Sequence, residues 1–108
     1  MSYEIKTGKD GKVRFNLKAT NGQIILSSEA YTDKAGALGG IQSVQAHGGD
    51  DANFERKVSS ASQPYFVLKA KNGQVIGQSE MYSAEAARDN GIESVKKNCS
   101  STDVKEVA

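Results

Sequence analysis

Leu17-Lys18-Ala19-Thr20-Asn21-Gly22-Gln23 returns as Leu68-Lys69-Ala70-Lys71-Asn72-Gly73-Gln74, fifty-one residues later. Sliding the chain over itself at that offset, without gaps, aligns Tyr3 through His47 with Phe54 through Asn98, and 18 of the 45 pairs are identical. Further identities gather in Ser28-Glu29-x-Tyr31 with Ser79-Glu80-x-Tyr82, and in Gly40-Ile41-x-Ser43-Val44 with Gly91-Ile92-x-Ser94-Val95. A fixed period of this size marks a duplicated structural unit.

Each half of the 108-residue chain is near the lower limit for burying its own core, so the halves are expected to share one. The expectation is one domain over residues 1–108, built from repeats at about 3–47 and 54–98. Asn-Gly between two strand-like runs signals a hairpin, because a type I′ turn needs residues that accept positive φ. Asn21-Gly22 and Asn72-Gly73 are therefore the structural turns. With two-residue loops, Phe15, Leu17, Ala19, Ile24 and Leu26 share the core face, matched by Phe66, Leu68, Ala70, Val75 and Gly77. The opposite face then carries Asn16, Lys18 and Ile25, matched by Val67, Lys69 and Ile76.

A further strand precedes each hairpin, at Tyr3–Thr7 and at Phe54–Val58, and Val104–Val107 reads as a short edge-covering strand. After each hairpin Thr32 and Ser83 are N-cap residues for a helix running to about residue 46 and 97. Its buried stripe reads Ala35, Leu38, Ile41 and Val44, then Ala86, Ile92 and Val95, with Asp89 in place of Leu38. Gly40 and Gly91 imply a bend, a close approach to the sheet or a helix end. The fold class is α+β: two tandem β-β-β-α repeats in one pseudo-two-fold domain, with an antiparallel sheet and one main helix per repeat. His47–Asn53 is read as a linker.

Fourteen Lys plus Arg stand against thirteen Asp plus Glu, so net charge provides no field to draw in a polyanion. Nucleic acid is not favoured on that ground, and the reading would need a clustered basic stripe. The one cysteine, Cys99, excludes an internal disulfide and fits a reducing compartment. No run is long and apolar enough for a membrane span or a signal peptide, which makes a soluble cytoplasmic protein the expectation.

The repeated Leu-Lys-Ala-x-Asn-Gly-Gln-x-Ile, Ser-Glu-x-Tyr and Gly-Ile-x-Ser-Val pattern resembles the small uncharacterised bacterial family typified by YegP, in its tandem-duplicated form. The resemblance implies an α+β fold built by duplication, with single-repeat relatives able to assemble as dimers, and it implies no reaction. A fused pseudo-dimer follows physically, since two units can bury apolar faces against each other about a two-fold. Such a chain is expected to be a monomer.

Glu29 and Glu80 are the candidates for ligand binding or, in an enzyme, for a split acid and base, because pseudo-symmetry could bring the carboxylates together. Carboxylates beside helix starts are common for electrostatic reasons alone, which favours a structural role. Lys18 and Lys69 could bind an anion as a symmetric pair, and Ile25 with Ile76 could form an interaction patch. His47 and Cys99 are unrepeated and lack an orienting group, so no catalytic set is read. No metal spacing is present, and no cofactor is expected. The leading expectation is a small non-catalytic module for a protein partner or small ligand; the alternatives are nucleic-acid association and, below it, a carboxylate-pair enzyme.

Overall fold

In a computed structural model, which describes residues 2–107, seven strands form one sheet with two helices against one face. The strands are β1 (Ser2–Thr7), β2 (Val13–Lys18), β3 (Ile24–Ser28), β4 (Phe54–Val58), β5 (Pro64–Lys69), β6 (Val75–Gln78) and β7 (Val104–Val107). The helices are α1 (Lys34–His47) and α2 (Glu85–Asn98). Spatial order is β4-β5-β6-β3-β2-β1-β7, so each half is a three-stranded meander and the meanders join along β3 and β6. All pairings are antiparallel except β7, which lies parallel on β1 and covers that edge.

The join reveals the symmetry. Ser27 pairs with Gln78, its own counterpart at the fifty-one-residue offset, so the pseudo-two-fold passes through that pair. It passes also between the helix ends, where Gly48 and its counterpart Cys99 touch: a Cβ on Gly48 would lie 2.7 Å from that of Cys99. The axis makes the core common. One apolar cluster takes Tyr3, Phe15, Leu17, Ile41 and Val44 from the first half and Phe54, Phe66, Leu68, Ile92 and Val95 from the second. Helix α1 reaches β5 and β6, and α2 reaches β3. Each of these large side chains contributes about 1.5–3 kcal/mol by leaving water.

The hairpin turns differ from the type I′ expectation. Gly22 donates to the Ala19 carbonyl and Ala19 to that of Gln23, both at 2.9 Å, and Gly22 alone has positive φ, +83°. That is a type I turn followed by a left-handed bulge residue. Asn21 takes the Gln23 N–H on its side-chain oxygen at 3.0 Å, which leaves its own backbone in the ordinary region. Gly73 and Asn72 repeat this arrangement, Gly11 repeats the bulge, and Ser62 occupies the same position with φ +62°.

A second irregularity, between Leu17 and Lys18, corrects the face assignment: Lys18 pairs with Ile24, and Leu17 with Leu26. Ile25 is the extra residue and turns into the core, at 5% exposure, while Ile24 takes the outer face. Ile76 is buried in the same way, at 4%, with Val75 outside. Ile25 and Ile76 are core residues, and the proposed apolar patch is not on the surface.

The helix starts also move. Tyr31 still pairs with Val13, so α1 begins late and its N-cap is Asp33, which accepts the Gly36 N–H at 2.8 Å; Thr32 is not the cap. In α2 the cap is Ala84, with no side-chain bond, and not Ser83. The buried stripe is accordingly Ala37, Gly40, Ile41 and Val44 in α1, with Ala35 and Leu38 exposed. In α2 it is Arg88, Gly91, Ile92, Val95 and Asn98, with Ala86 exposed. Asp89 stands in Leu38's place and Arg56 in Ile5's, and the two form an ion pair at 3.1 Å. The connector holds a short 3-10 turn, Asp51–Asn53, capped by Asp50.

Candidate functional site

The repeated motifs account for themselves as structure. Ser28 Oγ accepts the Phe15 N–H at 2.9 Å and donates to the Glu29 carbonyl at 2.7 Å, closing the ladder where β3 leaves β2. Ser79 does the same between Phe66 and Glu80. Tyr31 stacks on Phe15 at 6.1 Å and Tyr82 on Phe66 at 6.4 Å. Each tyrosine lies against the helix, where a Cβ on Gly40 would come within 2.7 Å of Tyr31 Cζ and one on Gly91 within 2.8 Å of Tyr82 Cζ. Both helices run unbroken past these glycines, so close approach is their reason. Burial, and then the neighbouring Glu29 or Glu80 charge, raises the pKa of each phenol.

What remains of Ser-Glu-x-Tyr is the glutamate, whose carboxylate makes no hydrogen bond or ion pair among the described residues. Glu29 and Glu80 both line a groove of about 360 Å³ on the axis, with Ser27 and Gln78 between them. Beyond each glutamate lies a cleft made by both halves: Glu29 and Tyr31 face Gln74, Val75 and Ile76 across about 450 Å³. Its counterpart of about 490 Å³ sets Glu80 and Tyr82 against Gln23, Ile24 and Lys18. Ladder spacing separates the two glutamate Cα atoms by about 14 Å, whereas strong splitting of two carboxyl pKa values requires charges within ~4–6 Å. Both carboxylates line this one groove.

Lys18 and Lys69 stand on the sheet face away from the helices, paired with Glu4 at 3.1 Å and Glu55 at 2.6 Å. Alternation along the strands places Lys6, Arg14, Lys57 and Lys105 there too. Six cations thus share the strands of this face with two carboxylates, Glu4 and Glu55. Lys69 and then Lys57 hold the Glu55 carboxyl below its usual range, and Arg14 does so for Asp10. Net charge conceals this segregation. Arg14 and Asn16 are not repeated, while Lys6 is, as Lys57; the signal that puts all three on this face is strict alternation with Ile5, Val13 and Phe15.

His47 is tied to its own helix, its Nδ1 2.8 Å from the Ser43 carbonyl, and Cys99 is buried, which pushes its thiol pKa up. No hydrogen bond joins the two among the described residues. Among the described residues no three His, Cys, Asp or Glu side chains gather as metal ligands, and no helix is long and apolar enough to cross a membrane.

The family model described as a domain of unknown function, DUF1508, matches twice, over residues 9–55 and 59–106. The UPF0339 protein YegP of Yersinia pestis is 55% identical over 105 residues, covering 97% of this chain and 94% of that protein. UPF0339 protein MS1092 of Mannheimia succiniciproducens is 51% identical, with 97% and 93% covered. The solution NMR structure of UPF0339 protein SO3888 from Shewanella oneidensis superposes with a TM-score of 0.90 at 48% identity, covering 96% of this chain and 88% of that one. That of yegP from E. coli, a protein of unknown function, gives 0.91 at 44%, with 96% and 90% covered.

Proposed function

The chain belongs to the DUF1508 family, a bacterial family with a fold and no assigned reaction, and from that premise we propose that it is a small non-catalytic binding module whose ligand surface is the helix-free face of the sheet. The observation that carries the proposal is the balance along the strands of that face, six cations against the two carboxylates Glu4 and Glu55, in a chain with net charge +1. The fitting ligand is a small anion. Glu29 and Glu80 interrupt the cations at the axis, so they form two flanks in place of a continuous track. That disfavours a long nucleic-acid strand, as does Tyr65 being the only aromatic ring on the face's strands, since single strands bind by stacking as well as charge. The ion pairs already present are solvent-accessible to different degrees, Lys18–Glu4 being half-buried, and an incoming anion would replace their carboxylates. A cytoplasmic location is part of this proposal, supported by a buried cysteine without a disulfide, which suits a reducing compartment.

Cation exchange at pH 8 tests the proposal, because the sequence pI is about 7.8 and overall charge is then near zero. The protein should still be retained on a sulfonate resin, and a Lys18→Gln/Lys69→Gln variant should elute at lower salt. Flow-through of the parent chain, or equal retention of the variant, contradicts the assignment of the face.

A further inference from the structure

We infer that the first half alone carries an anion site, formed by Lys6, Arg14, Asn16 and Ser27, that takes the phosphoryl group of a small phosphorylated ligand. The inference rests on the reading of the helix-free face as the ligand surface. A pocket of about 290 Å³ opens on that face, lined by Lys6, Gly8, Arg14, Asn16, Ser27 and Ser28. Two cations, an amide and two hydroxyls share its walls, and no carboxylate among the described residues lines it. Arginine's fork suits phosphate oxygens bidentately, and lysine adds a point charge.

A second observation is independent of the cavity. Lys6 and Arg14 are directly opposed partners in the β1–β2 ladder. Like charges facing across a ladder destabilise it. An anion between them reverses the sign of that interaction. Asp10 already offsets part of it, its two carboxylate oxygens accepting from Arg14 Nη1 at 3.5 Å and Nη2 at 3.2 Å, so a bound phosphoryl group takes the Arg14 fork in exchange for this exposed pair. Gly8 makes room: a Cβ there would lie 3.0 Å from Arg14 Nη1.

The duplication supplies the internal control. At the offset, Lys6, Arg14, Asn16 and Ser27 become Lys57, Tyr65, Val67 and Gln78, and Lys57 faces Tyr65 in the ladder. The second half keeps the scaffold and loses the arginine, with Val67 in place of the Asn16 amide and the Gln78 amide in place of the Ser27 hydroxyl. Fusion permits this divergence, which a homodimer of identical units could not make.

The test is an NMR titration of the intact, ¹⁵N-labelled chain with inorganic phosphate and with glycerol 3-phosphate, against sodium chloride at matched ionic strength. Saturable shifts should centre on Lys6, Arg14, Asn16 and Ser27. Arg14→Gln, and Arg14→Tyr copied from the second half, should weaken binding at least about tenfold, the scale of one charge-assisted contact. Lys57→Gln should leave it unchanged. Tighter binding of glycerol 3-phosphate than of phosphate identifies a phosphomonoester as the ligand; a preference for bare phosphate removes the organic part of the inference. Shifts spread evenly over Lys18, Lys57 and Lys69 overturn the site while leaving the ligand face standing. No movement on that face with either anion overturns both. An oligo(dT) arm that binds the parent and Arg14→Tyr equally assigns the charge to a polymer and also overturns the site.

Discussion

Leu26 and Gly77 occupy equivalent positions, yet one is a fully buried leucine and the other has no side chain. Beside the axis there is space for one leucine, because a Cβ on Gly77 would lie 2.8 Å from the Ser27 carbonyl oxygen and 3.0 Å from Leu26 Cγ. Restoring the repeat with Gly77→Leu should overpack the seam by about 1–3 kcal/mol, since a backbone oxygen cannot swing aside. Leu26→Ala should cost about 2–5 kcal/mol through the cavity it leaves. If both positions draw on the same space, Leu26→Ala/Gly77→Leu moves the leucine across the axis and relieves part of each defect. Its destabilisation should fall below the sum of the singles by at least about 1 kcal/mol, within the range of contacting pairs. Urea unfolding followed by circular dichroism reads all three variants against the parent. Additivity within ~0.5 kcal/mol would mean that the two residues do not share a pocket, and would refute the single-leucine seam.

Ser62 holds the left-handed position that Gly11 fills in the first half, so Ser62→Gly should stabilise the protein, by about 1 kcal/mol in thermal or urea melts. Ala84 caps α2 without a side-chain bond, and Ala84→Asp, copying Asp33, should add about 0.5–2 kcal/mol; an unchanged midpoint would exclude that cap. Tyr3 donates to the Cys99 carbonyl at 2.5 Å, and burial, with Cys99 adding to it, holds the phenol's folded pKa far above its ordinary value. The stabilising contribution is complete below the unfolded pKa of about 10 and is lost as pH rises from there, so Tyr3→Phe should cost about 1 kcal/mol at pH 7 and flatten the alkaline loss of stability. A half cut at residue 50 should dimerise or unfold, and a stable monomer in sedimentation would defeat the common core.

Most of the architecture lay in the alternation of the strands and in the offset itself. Phe15, Leu17, Phe66 and Leu68 fell on the core face because period-two patterning is robust away from turns. Ile25 and Ile76 were misplaced because one extra residue reverses every face assignment between a bulge and its turn, and Asn-Gly reads alike for type I′ and for a type I turn with a bulge. The helix caps slipped by one because the Tyr31–Val13 bridge before α1, and the Tyr82 N–H to Pro64 carbonyl bond before α2, are tertiary bonds that no local pattern announces. Glu29 and Glu80 were legible as a pair, since both follow from the repeat and both border the axial groove. Lys6, Arg14 and Asn16 were not selected, since their meaning lies in how the halves differ and in which strands are neighbours.

Native-state hydrogen exchange tests most directly whether the two repeats are one folding unit. With increasing denaturant, the slowest amides of β2 and of β5, around Phe15–Leu17 and Phe66–Leu68, should converge on one opening free energy equal to that of global unfolding. If the amides of one half exchange through a separate opening of lower energy while the other half stays protected, the halves fold as neighbours and the common core is contradicted.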